Sequence, residues 1–511
     1  MKAIVIGSGL SGLTAASALV QAGWEVDVFE QASQIGGVTA GYQKGGFQWD
    51  LGQLLLEGFG PDEPVGKVLS ELGVIDSIQV LVDDRGYVFP DFALRKPEAY
   101  QGIRWRLERL KELFPEESAG LERYWKDYLR FTRLMTLARR MEDKRGLNAL
   151  AAKVNLYATM LPFLPKKDWS AARLMADYFH SEKLKLVFTS ILADFFTAPS
   201  QFIGLGVFAL NPEASFEKRM PKELAKGAEQ LYHYSIRGGI RALVEALGQR
   251  IEALGGKIFT SRPVRKIQVA NGRAVGVVDD HNIESSADVV IASGGAKETF
   301  LGLVGEASLP AGFCEQVQNI PLMDSVFMVH LGVDFDPSPY VHGTCTYYYN
   351  TYDIEGTIAE ARQGIYHEGR AGFVVHVPSL HSPEVAPPGY HAMTIYTICP
   401  DTLREGNWNE RKEDYADQLV ACAEKYIPGL SQHIQVAEIL TPDDFRIRTH
   451  TTHHAFGGIA PVLGSWRVPH QTPLPGLWFI GAQSESGGGV NNVIPAAYKT
   501  ARRICDWPKV A

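Results

Sequence analysis

The sequence has few of the features that mark secreted, membrane-spanning or nucleic-acid-binding proteins. Only five of its 511 residues are cysteines and none forms a CxxC pair, so neither a disulfide framework nor a zinc site is expected. No uninterrupted run of about 18 apolar residues occurs, and no transmembrane helix is predicted. Basic side chains (50) are fewer than acidic ones (58), so nucleic acid has no general electrostatic attraction to the surface. These absences predict a cytoplasmic protein in a reducing compartment.

The composition that remains is ordinary for a globular protein, with 45% hydrophobic and 21% charged residues. At about 150 residues per domain, the length predicts two to four domains. The 50 glycines and 28 prolines follow no fixed period, which excludes a collagen-like repeat and indicates many ordered turns.

The N-terminal residues follow a pattern of strand, glycine loop, helix, strand and acid. A short apolar strand is predicted over residues 2–6, the turn GSGLSG follows, and a helix is predicted over residues 13–21. A second strand over residues 24–30 ends on Glu30. This order and spacing are typical of dinucleotide-binding folds.

Each element of this pattern has a physical task. Gly7 permits the tight turn, Gly9 lets a pyrophosphate approach the backbone, and Gly12 lets the helix pack on the strand. The free N–H groups and the positive end of the helix face the phosphates. Glu30 is placed to accept hydrogen bonds from ribose hydroxyls, and its charge disfavours the 2′-phosphate of NADP.

The residues after Glu30 favour FAD among the dinucleotides. Gly36 and Gly37 follow within one loop, and a second glycine-rich stretch covers residues 45–52. A nicotinamide enzyme normally continues into another helix at this point, whereas a glycine-rich crossing lets the chain lie along an extended dinucleotide. The sequence therefore predicts bound FAD.

The stretch from Ile4 to Gly52 resembles the N-terminus of flavin amine oxidases and, more closely, that of phytoene desaturases, carotenoid isomerases and retinol saturases. Residues 36–52, GGVTAGYQKGGFQWDLG, are similar to that group's GG…AGY…G-F-x-x-D-x-G pattern. Val38 departs from the amine oxidases, many of which carry an arginine here that contacts the flavin phosphates. The resemblance implies a Rossmann-type FAD-binding domain, and the cofactor is expected to be non-covalent because no cysteine lies near Gly481.

A second glycine-rich segment lies near the C-terminus. A strand ending at Gly481 leads into the loop QSESGGGV, and a helix is predicted over residues 492–504. In the resembled group, the residue after the strand-end glycine meets the flavin ribityl chain, and the helix start meets the pyrimidine edge. Glu485 stands where phytoene desaturases typically have a His-Pro pair, and it is the candidate catalytic acid or base. Its alternative role is a hydrogen bond to the ribityl hydroxyls.

The cofactor-binding residues implied by these segments are the glycine loops, the acid with its neighbour, and Val264, whose backbone contacts adenine in the resembled family. They are Gly7, Ser8, Gly9, Ser11, Gly12, Glu30, Gln31, Gly36, Gly37, Val38, Gly52, Val264, Gly481, Ala482, Gly489 and Val490. His453 and His454 precede another glycine pair. Adjacent histidines on a strand point to opposite faces, so no metal site is predicted there.

The nucleotide-binding segments lie at opposite ends of the chain, which predicts an α/β fold with a discontinuous Rossmann-type FAD-binding domain. An inserted α+β substrate domain is expected to contain a helical subdomain and a large antiparallel sheet rich in aromatic and β-branched residues. The predicted bounds are 1–80, 230–300 and 440–511 for the FAD-binding domain, and 81–229 and 301–439 for the substrate domain. Tyrosines of this sheet either line a ligand tunnel or pack in the core.

Residues 155–167, NLYATMLPFLPKK, combine apolar and aromatic side chains with two lysines. A membrane-surface segment would place the apolar side chains among acyl chains, with Lys166 and Lys167 at anionic headgroups. The alternative is a buried helix that ends at Pro165. A peripheral association with membrane is thus one of two open interpretations.

Three functions are compatible with these patterns. The leading prediction, from the resemblance, is an FAD-dependent oxidoreductase that desaturates, saturates or isomerises C=C bonds of a small, long-chain apolar substrate of isoprenoid or carotenoid type. A flavin amine oxidase is the second, and it would require an aromatic cage and a lysine near the flavin. The third is a prenyl-binding escort protein similar to Rab GDP-dissociation inhibitors. The intact glycine set argues against the third, since a protein without a nucleotide has no need of it.

Overall fold

The computed structural model describes residues 1–52, 56–97, 101–141, 147–211 and 233–506. In chain order, its strands are β1 (Lys2–Ile6), β2 (Glu25–Phe29), β3 (Tyr42–Lys44), β4 (Phe47–Trp49), β5 (Leu56–Glu57), β6 (Val80–Asp83), β7 (Arg85–Val88), β8 (Ala93–Leu94), β9 (His233–Ile236), β10 (Lys257–Phe259), β11 (Val264–Ala270), β12 (Arg273–Asp279), β13 (Glu284–Ser286), β14 (Val289–Ser293), β15 (Ser325–Val333), β16 (Cys345–Tyr349), β17 (Gly372–His376), β18 (His391–Cys399), β19 (Ile434–Leu440) and β20 (Leu477–Ile480).

The α-helices alternate with these strands at both ends of the chain and are concentrated between β8 and β9. They are α1 (Leu10–Gln21), α2 (Pro64–Glu71), α3 (Trp105–Leu113), α4 (Ser118–Met141), α5 (Leu147–Met160), α6 (Ala171–Tyr178), α7 (Glu182–Thr189), α8 (Gly206–Leu210), α9 (Arg241–Ala253), α10 (Ala311–Gln318), α11 (Ile354–Arg362), α12 (Trp408–Glu424), α13 (Pro442–Thr449) and α14 (Val490–Cys505).

Five strands form a parallel sheet in the order β10-β2-β1-β14-β20. Strands β1, β14 and β20 are buried along most of their length, because α1, α9 and α14 cover one face of the sheet and the small antiparallel sheet β11-β12-β13 packs on the other. Strand β14 pairs with β1 on one side and with β20 on the other. The N-terminal and C-terminal segments therefore lie in one sheet with their carboxyl ends on one edge, and the Rossmann-type prediction is confirmed.

A second, larger sheet has the order β19-β15-β18-β17-β16-β7-β8. Most neighbouring pairs are antiparallel, as predicted, but β16 pairs with β7 in parallel, so the large sheet is mixed. Strands β7 and β16 can be parallel because a long chain segment connects them. A short hairpin would instead make two neighbouring strands antiparallel.

Helices α3 to α8 provide the helical part that the sequence predicts. The apolar residues of the stretch 104–145 recur every three or four positions, which predicts one helical run. The structure divides this stretch into α3 and α4, because Pro115 opens a separate 3-10 turn (Pro115–Glu117) and proline has no N–H to continue a helix. The last part of the stretch, residues 142–145, lies outside the described residues.

The core between these helices and the large sheet is dominated by aromatic rings. Tyr124 and Phe188 have ring centroids 4.4 Å apart, and Phe179 stacks on Phe188 at 5.1 Å. The same apolar cluster includes Tyr347 and Tyr396 of the sheet. The helical layer therefore covers the sheet face that carries the predicted tyrosines.

The segment over residues 155–167 is not a buried helix. It comprises the end of α5 and the 3-10 helix Leu161–Lys166. Together with the preceding part of α5, it carries large apolar side chains that are exposed and recur every three or four residues. Their exposed fractions are Leu150 60%, Val154 63%, Tyr157 62%, Leu161 61% and Leu164 39%. The buried-helix alternative is therefore wrong, because no element within the described ranges covers these side chains.

The two lysines that follow this exposed apolar stripe (Leu150, Val154, Tyr157, Leu161 and Leu164) differ in orientation. Lys166 pairs with Asp177 at 2.7 Å, and its side chain is 18% exposed. Lys167 is 64% exposed. Only Lys167 of the pair therefore faces solvent as the sequence predicts. Among the helices of the described ranges, none is both long and apolar enough to cross a membrane.

Candidate active site

A cleft opens where the carboxyl ends of β1, β14 and β20 meet the N-termini of α1 and α14. It encloses a cavity of about 240 Å³ that continues into space open to solvent. Such an edge of a parallel sheet is where dinucleotides bind. The lining residues are Gly9, Leu10, Ser11, Gly36, Val38, Thr39, Gly52, Ser293, Gly294, Gly295, Thr449, Thr451, His454, Ala455, Phe456, Gly457, Gly458, Gly481, Ala482, Gln483, Gly489, Val490 and Val493.

The three fingerprint glycines occupy three different environments. Gly7 has a φ of 94°, which other residues adopt only with strain. A Cβ atom on Gly12 would lie 2.0 Å from the Gly7 carbonyl oxygen, whereas a Cβ on Gly9 would meet nothing within 4 Å. Gly7 thus makes the turn, Gly12 lets α1 approach β1, and Gly9 leaves its side of the cleft open.

The N-terminus of α1 is suited to an anionic group. Gly9 precedes the helix, no side chain caps it, and no acidic residue lies in its first turn. The first N–H groups of a helix lack partners within the helix, and the helix dipole makes this end positive. The described residues therefore fit the pyrophosphate of a dinucleotide at this point.

Glu30 is held within the protein at the end of β2. It is 4% exposed, and its Oε2 accepts hydrogen bonds from the Ser8 N–H at 2.9 Å and from the Ser8 hydroxyl. Its Oε1 accepts a hydrogen bond from the Ala32 N–H at 2.8 Å. Glu30 therefore ties the fingerprint turn to the second strand, and its contact with a ribose stays a prediction.

The side chain of an arginine in α13 contacts the loop around Val38. Arg448 of α13 donates from Nε to the Gly37 carbonyl oxygen at 3.0 Å and from Nη2 to the Gly41 carbonyl oxygen at 3.4 Å. Gln31 donates its amide to the Arg448 carbonyl oxygen at 3.1 Å. Burial lowers the pKa of Arg448, and the nearby Glu30 carboxylate opposes this. Arg448 thus holds the loop in which Val38 replaces the arginine of many amine oxidases.

The C-terminal loop forms the opposite side of the cleft. Gly481 ends β20 with a φ of 105°, and Gln483 accepts a hydrogen bond from the Ala296 N–H at 2.8 Å. Gly489 precedes α14. Backbone from β20 and the N-terminus of α14 therefore face the same space as the fingerprint turn.

Glu485 is not among the residues that line the cleft. Its Oε1 accepts a hydrogen bond from the His470 N–H at 3.0 Å and lies 3.1 Å from His470 Nδ1. Burial lowers the pKa of His470, and the Glu485 carboxylate opposes this. The contacts of Glu485 thus connect it to the preceding loop, and its predicted catalytic role stays a prediction.

His453 and His454 diverge, as expected of adjacent residues on an extended chain. The Nε2 of His453 is 2.8 Å from the Met323 carbonyl oxygen, whereas the Nδ1 of His454 is 2.6 Å from the Ser325 hydroxyl. The His454 ring stacks on Phe445 at 4.7 Å, and burial lowers its pKa to about 3. In the described part of the chain, no cluster of histidine, cysteine and acidic side chains could hold a metal ion.

Some of the predicted cofactor-binding residues line the cleft, and the others do not. The lining members are Gly9, Ser11, Gly36, Val38, Gly52, Gly481, Ala482, Gly489 and Val490. The members that do not line it are Gly7, Ser8, Gly12, Glu30, Gln31, Gly37 and Val264. Sequence reasoning missed several lining residues, including Ser293, Gly294, Gly295, Phe456, Gly457 and Gly458. The sequence feature that could have identified them is the glycine pair in each segment: Gly294 and Gly295 follow a buried strand, and Gly457 and Gly458 follow the two histidines.

An aromatic face of the large sheet lies next to the cleft. Phe456 lines the cleft, and its ring centroid is 6.0 Å from that of Tyr396. Tyr396 belongs to a row that crosses the sheet through successive strand pairs. The row is Met328, Tyr396, Val374, Tyr347 and Tyr87. All five are buried members of the apolar cluster under the helical layer, so the cleft borders an apolar region.

Comparison with protein families finds a match to the family described as flavin containing amine oxidoreductase over residues 10–505. The chain is 29% identical over 291 residues to the mouse pyridine nucleotide-disulfide oxidoreductase domain-containing protein 2, covering 52% of this chain and 50% of that protein. The chain thus spans about half the length of this relative.

Other relatives match over nearly the whole chain. The neurosporene-forming phytoene desaturase of Cereibacter sphaeroides is 24% identical over 529 residues, covering 99% of this chain and 95% of that protein. The chloroplastic prolycopene isomerase 1 of an Oncidium hybrid cultivar is 25% identical over 518 residues, covering 98% and 83%. The crystal structure of an oxidoreductase from Methanosarcina mazei superposes with a TM-score of 0.65 at 19% identity, covering 98% of this chain and 100% of that one, which shows the shared fold.

Proposed function

The chain belongs to the family of flavin-containing amine oxidoreductases, and from this membership we propose that it is an FAD-dependent enzyme acting on C=C bonds of a long apolar substrate. The reaction is desaturation, saturation or isomerisation, and the substrate is isoprenoid, of the carotenoid type. The observation that carries the proposal is the aromatic face around Tyr396, in ring contact with Phe456 of the cleft. The near full-length similarity to a desaturase and an isomerase supports the same chemistry.

The residues around the cleft suit FAD held without a covalent bond. Gly9 and the first turn of α1 would receive the pyrophosphate, and Ala482 and Val490 would face the ribityl chain and the pyrimidine edge. No cysteine is among the residues that line the cleft in the described ranges. When bound, FAD supplies the acceptance or return of a hydride.

The side chains on the substrate side would orient the polyene and exclude water. Phe456 and Val38 both line the cleft and pack against the apolar cluster of the large sheet. A dry, apolar passage beside the cofactor is what a hydride transfer to or from a hydrocarbon requires. The chemistry needs no acid or base in this passage, and Glu485 with its contact to His470 remains the predicted candidate for such a role.

Oxidation of an amine is the second candidate function, because the family description names amine oxidoreductases. Of the residues described around the cleft, none is a lysine, and Phe456 is the only phenylalanine, tyrosine or tryptophan. The aromatic cage and the lysine expected of an amine oxidase therefore have no candidates in this lining.

The test of the proposed function is an anaerobic incubation of the purified holoenzyme with polyenes and with amines. One sample contains oxidised flavin and a second contains flavin reduced with dithionite, each with a linear polyene in detergent micelles. We expect a polyene product with altered conjugation or geometry by chromatography, and no bleaching of the flavin by a panel of primary amines. Bleaching by an amine together with unchanged polyenes would establish the second candidate instead.

The exposed apolar stripe gives the proposed enzyme a route to a substrate dissolved in lipid. We propose that the side chains of Leu150, Val154, Tyr157, Leu161 and Leu164 enter the interfacial layer of a bilayer, with exposed Lys153 and Lys167 at anionic headgroups. A lipid surface is the occupant that explains a continuous apolar stripe on an enzyme for apolar substrates.

The division into domains belongs to the same proposal. The parallel sheet collects strands from residues 1–80, 230–300 and 440–511. The larger sheet collects its strands from residues 81–229 and 301–439, and only the last residue of β19, Leu440, extends beyond that bound. We therefore assign FAD binding to the first set and substrate binding to the second.

A further inference from the structure

Three side chains beside the C-terminal loop form one chain of hydrogen bonds, the relay Glu485, His470 and Ser484. The Oε1 atom of Glu485 lies 3.1 Å from Nδ1 of His470, and Nε2 of His470 lies 3.1 Å from the Ser484 hydroxyl. Ser484 also donates a hydrogen bond to the Gly481 carbonyl oxygen at 2.7 Å. The relay thus connects a carboxylate, through an imidazole and a hydroxyl, with the backbone just after β20.

The order carboxylate, imidazole, hydroxyl is that of a Ser-His-Asp catalytic triad. Ser484 is completely buried, however, and none of the three relay residues is among those that line the cleft in the described ranges. A nucleophile needs direct contact with its substrate. The relay therefore has the connectivity of a triad without access to a substrate, and its contacts lead to the backbone instead.

Backbone hydrogen bonds fix the position of the imidazole. The His470 N–H donates to Glu485 Oε1 at 3.0 Å, and the His470 carbonyl oxygen accepts from the Phe479 N–H at 2.9 Å. The Glu485 N–H donates to the Val468 carbonyl oxygen at 2.7 Å, which holds the two segments side by side. Because His470 is bonded at both backbone groups and is 8% exposed, its ring has little freedom to turn away from Ser484.

The relay reaches the wall of the cleft at Gly481, which is one of the lining residues. The Gly481 carbonyl oxygen accepts from the Ser484 N–H at 3.0 Å as well as from the Ser484 hydroxyl, and the Ser486 hydroxyl is a third, longer contact at 3.4 Å. These donors close a turn over residues 481–484. They hold the carbonyl group of Gly481 inside this turn.

The same peptide group presents its N–H on the other side. In a planar trans peptide the C=O and N–H bonds point in opposite directions, so the Ala482 N–H points out of the turn. Ala482 lines the cleft, and its N–H donates to no protein group within the described part of the chain. Backbone donors shielded from water are rarely left without an acceptor, so this N–H is available to a ligand in the cleft.

We propose that Glu485 is a positioning residue that acts through His470 and Ser484 to keep the Ala482 N–H directed at bound FAD. The carboxylate fixes the imidazole, the imidazole fixes the hydroxyl, and the hydroxyl holds the peptide group that carries this donor. This role rests on the proposed function in one respect, that the cleft holds FAD. It assigns Glu485 to positioning of the cofactor instead of proton transfer at the substrate.

The test is titration of the apoprotein with FAD in variants at both ends of the relay. Glu485→Ala removes the exposed end and Ser484→Ala removes the buried end, and we expect each to weaken FAD binding about tenfold. The combined variant should bind FAD no more weakly than the weaker of the two single variants, because side chains that act through one network have non-additive effects.

A conservative substitution separates hydrogen bonding from charge. Glu485→Gln keeps an oxygen that accepts from the imidazole, and we expect it to recover most of the FAD affinity lost in Glu485→Ala. Glu405→Ala is the matched control, because that carboxylate is 87% exposed and lies outside the relay, and it should bind FAD like the unmodified protein. His470→Leu is the second variant, with the same expected loss, in case Ser484→Ala does not fold.

The possible outcomes separate the positioning role from the proposed function. Full FAD affinity in Glu485→Ala, or losses that add in the combined variant, would overturn the positioning role and leave the proposed function standing. An equal loss in Glu485→Gln and Glu485→Ala would overturn it as well, since the charge would then account for the effect. An unmodified protein that takes up no FAD would overturn both.

Discussion

A Cβ atom on Gly488 would lie 1.8 Å from the carbonyl oxygen of Gly457, so the two loops that flank this side of the cleft are in backbone contact. Gly488 lies in the loop before α14, and Gly457 lies in the loop after α13. The next glycine, Gly458, is similarly close to Ala482, because a Cβ atom on Gly458 would lie 2.2 Å from the Ala482 carbonyl oxygen. The wall of the cleft depends on the absence of side chains at these positions.

Gly488→Ala should therefore weaken cofactor binding. The added methyl group must push one loop away from the other, and overpacking of this kind costs about 1–3 kcal/mol. We expect FAD to bind about tenfold more weakly, measured by titration of the apoprotein. Gly312→Ala is the control, because Gly312 lies in α10 with no atom within 4 Å of the added methyl group. Equal FAD affinity in both variants would show that the loops can separate without cost.

Arg448 should contribute to the cofactor site through the loop that it holds. Arg448→Ala removes both hydrogen bonds to the loop carbonyl groups, and hydrogen bonds from charged groups are each worth about 1.5–3 kcal/mol. We expect at least about a tenfold loss of FAD affinity and partial recovery in Arg448→Lys. Ile447→Ala, at a neighbouring side chain that is 73% exposed, serves as the control. Unchanged affinity in Arg448→Ala would contradict a role for this residue at the loop.

Asp194 should make stability depend on pH. Burial raises the pKa of its carboxyl from 3.8 to about 7, so the folded protein keeps a proton that the unfolded chain has lost. The contribution of this carboxyl to stability is complete at low pH and is lost as the pH rises from about 4 to about 7. Asp194→Asn cannot ionise, and its stability relative to the unmodified protein should therefore increase over this range.

The measurement is the urea midpoint of both proteins at several pH values between 5 and 8. Asp168→Asn is the control, because that carboxylate is 76% exposed and should leave the pH dependence unchanged. Parallel curves for the unmodified protein and Asp194→Asn would show that the carboxyl is not shielded from water as the structure indicates.

The exposed apolar stripe should determine binding to lipid vesicles. Val154→Glu combined with Leu161→Glu places two charges among the side chains that would enter the interfacial layer, and we expect at least about tenfold weaker co-sedimentation with vesicles that contain anionic lipid. Ile447→Glu changes an equally exposed residue (73%) outside the stripe and should bind like the unmodified protein. Equal loss in both variants would assign the effect to net charge alone.

The part of the cofactor site formed by residues close together in the chain could be predicted from the sequence, because the spacing of those residues determines its geometry. Gly7, Gly9 and Gly12 fall within one turn and one helix start, and the packing of that helix on β1 follows from their spacing. The strand that ends at Gly481 carries the same kind of signal, a buried apolar run followed by glycines. Both predictions hold in the parallel sheet.

The rest of the site depends on contacts between distant segments. Arg448 holds the loop at Gly37, but neither residue identifies the other in the sequence. Phe456 and Tyr396 lie far apart in the sequence, and only the folded chain brings their ring centroids to 6.0 Å. The sequence likewise leaves the exposure of the segment at Tyr157 undecided, because an apolar helix face looks the same whether a neighbouring element or a lipid surface covers it.

The most direct test of the account is the visible absorption spectrum of the purified protein before and after acid denaturation. Flavin bands in the native protein, with FAD released into the supernatant by acid, are the predicted result, since the cleft would hold the cofactor without a covalent bond. A colourless protein that takes up no added FAD would contradict the assignment of the cleft and both candidate enzyme functions, and would favour an escort protein for prenyl groups.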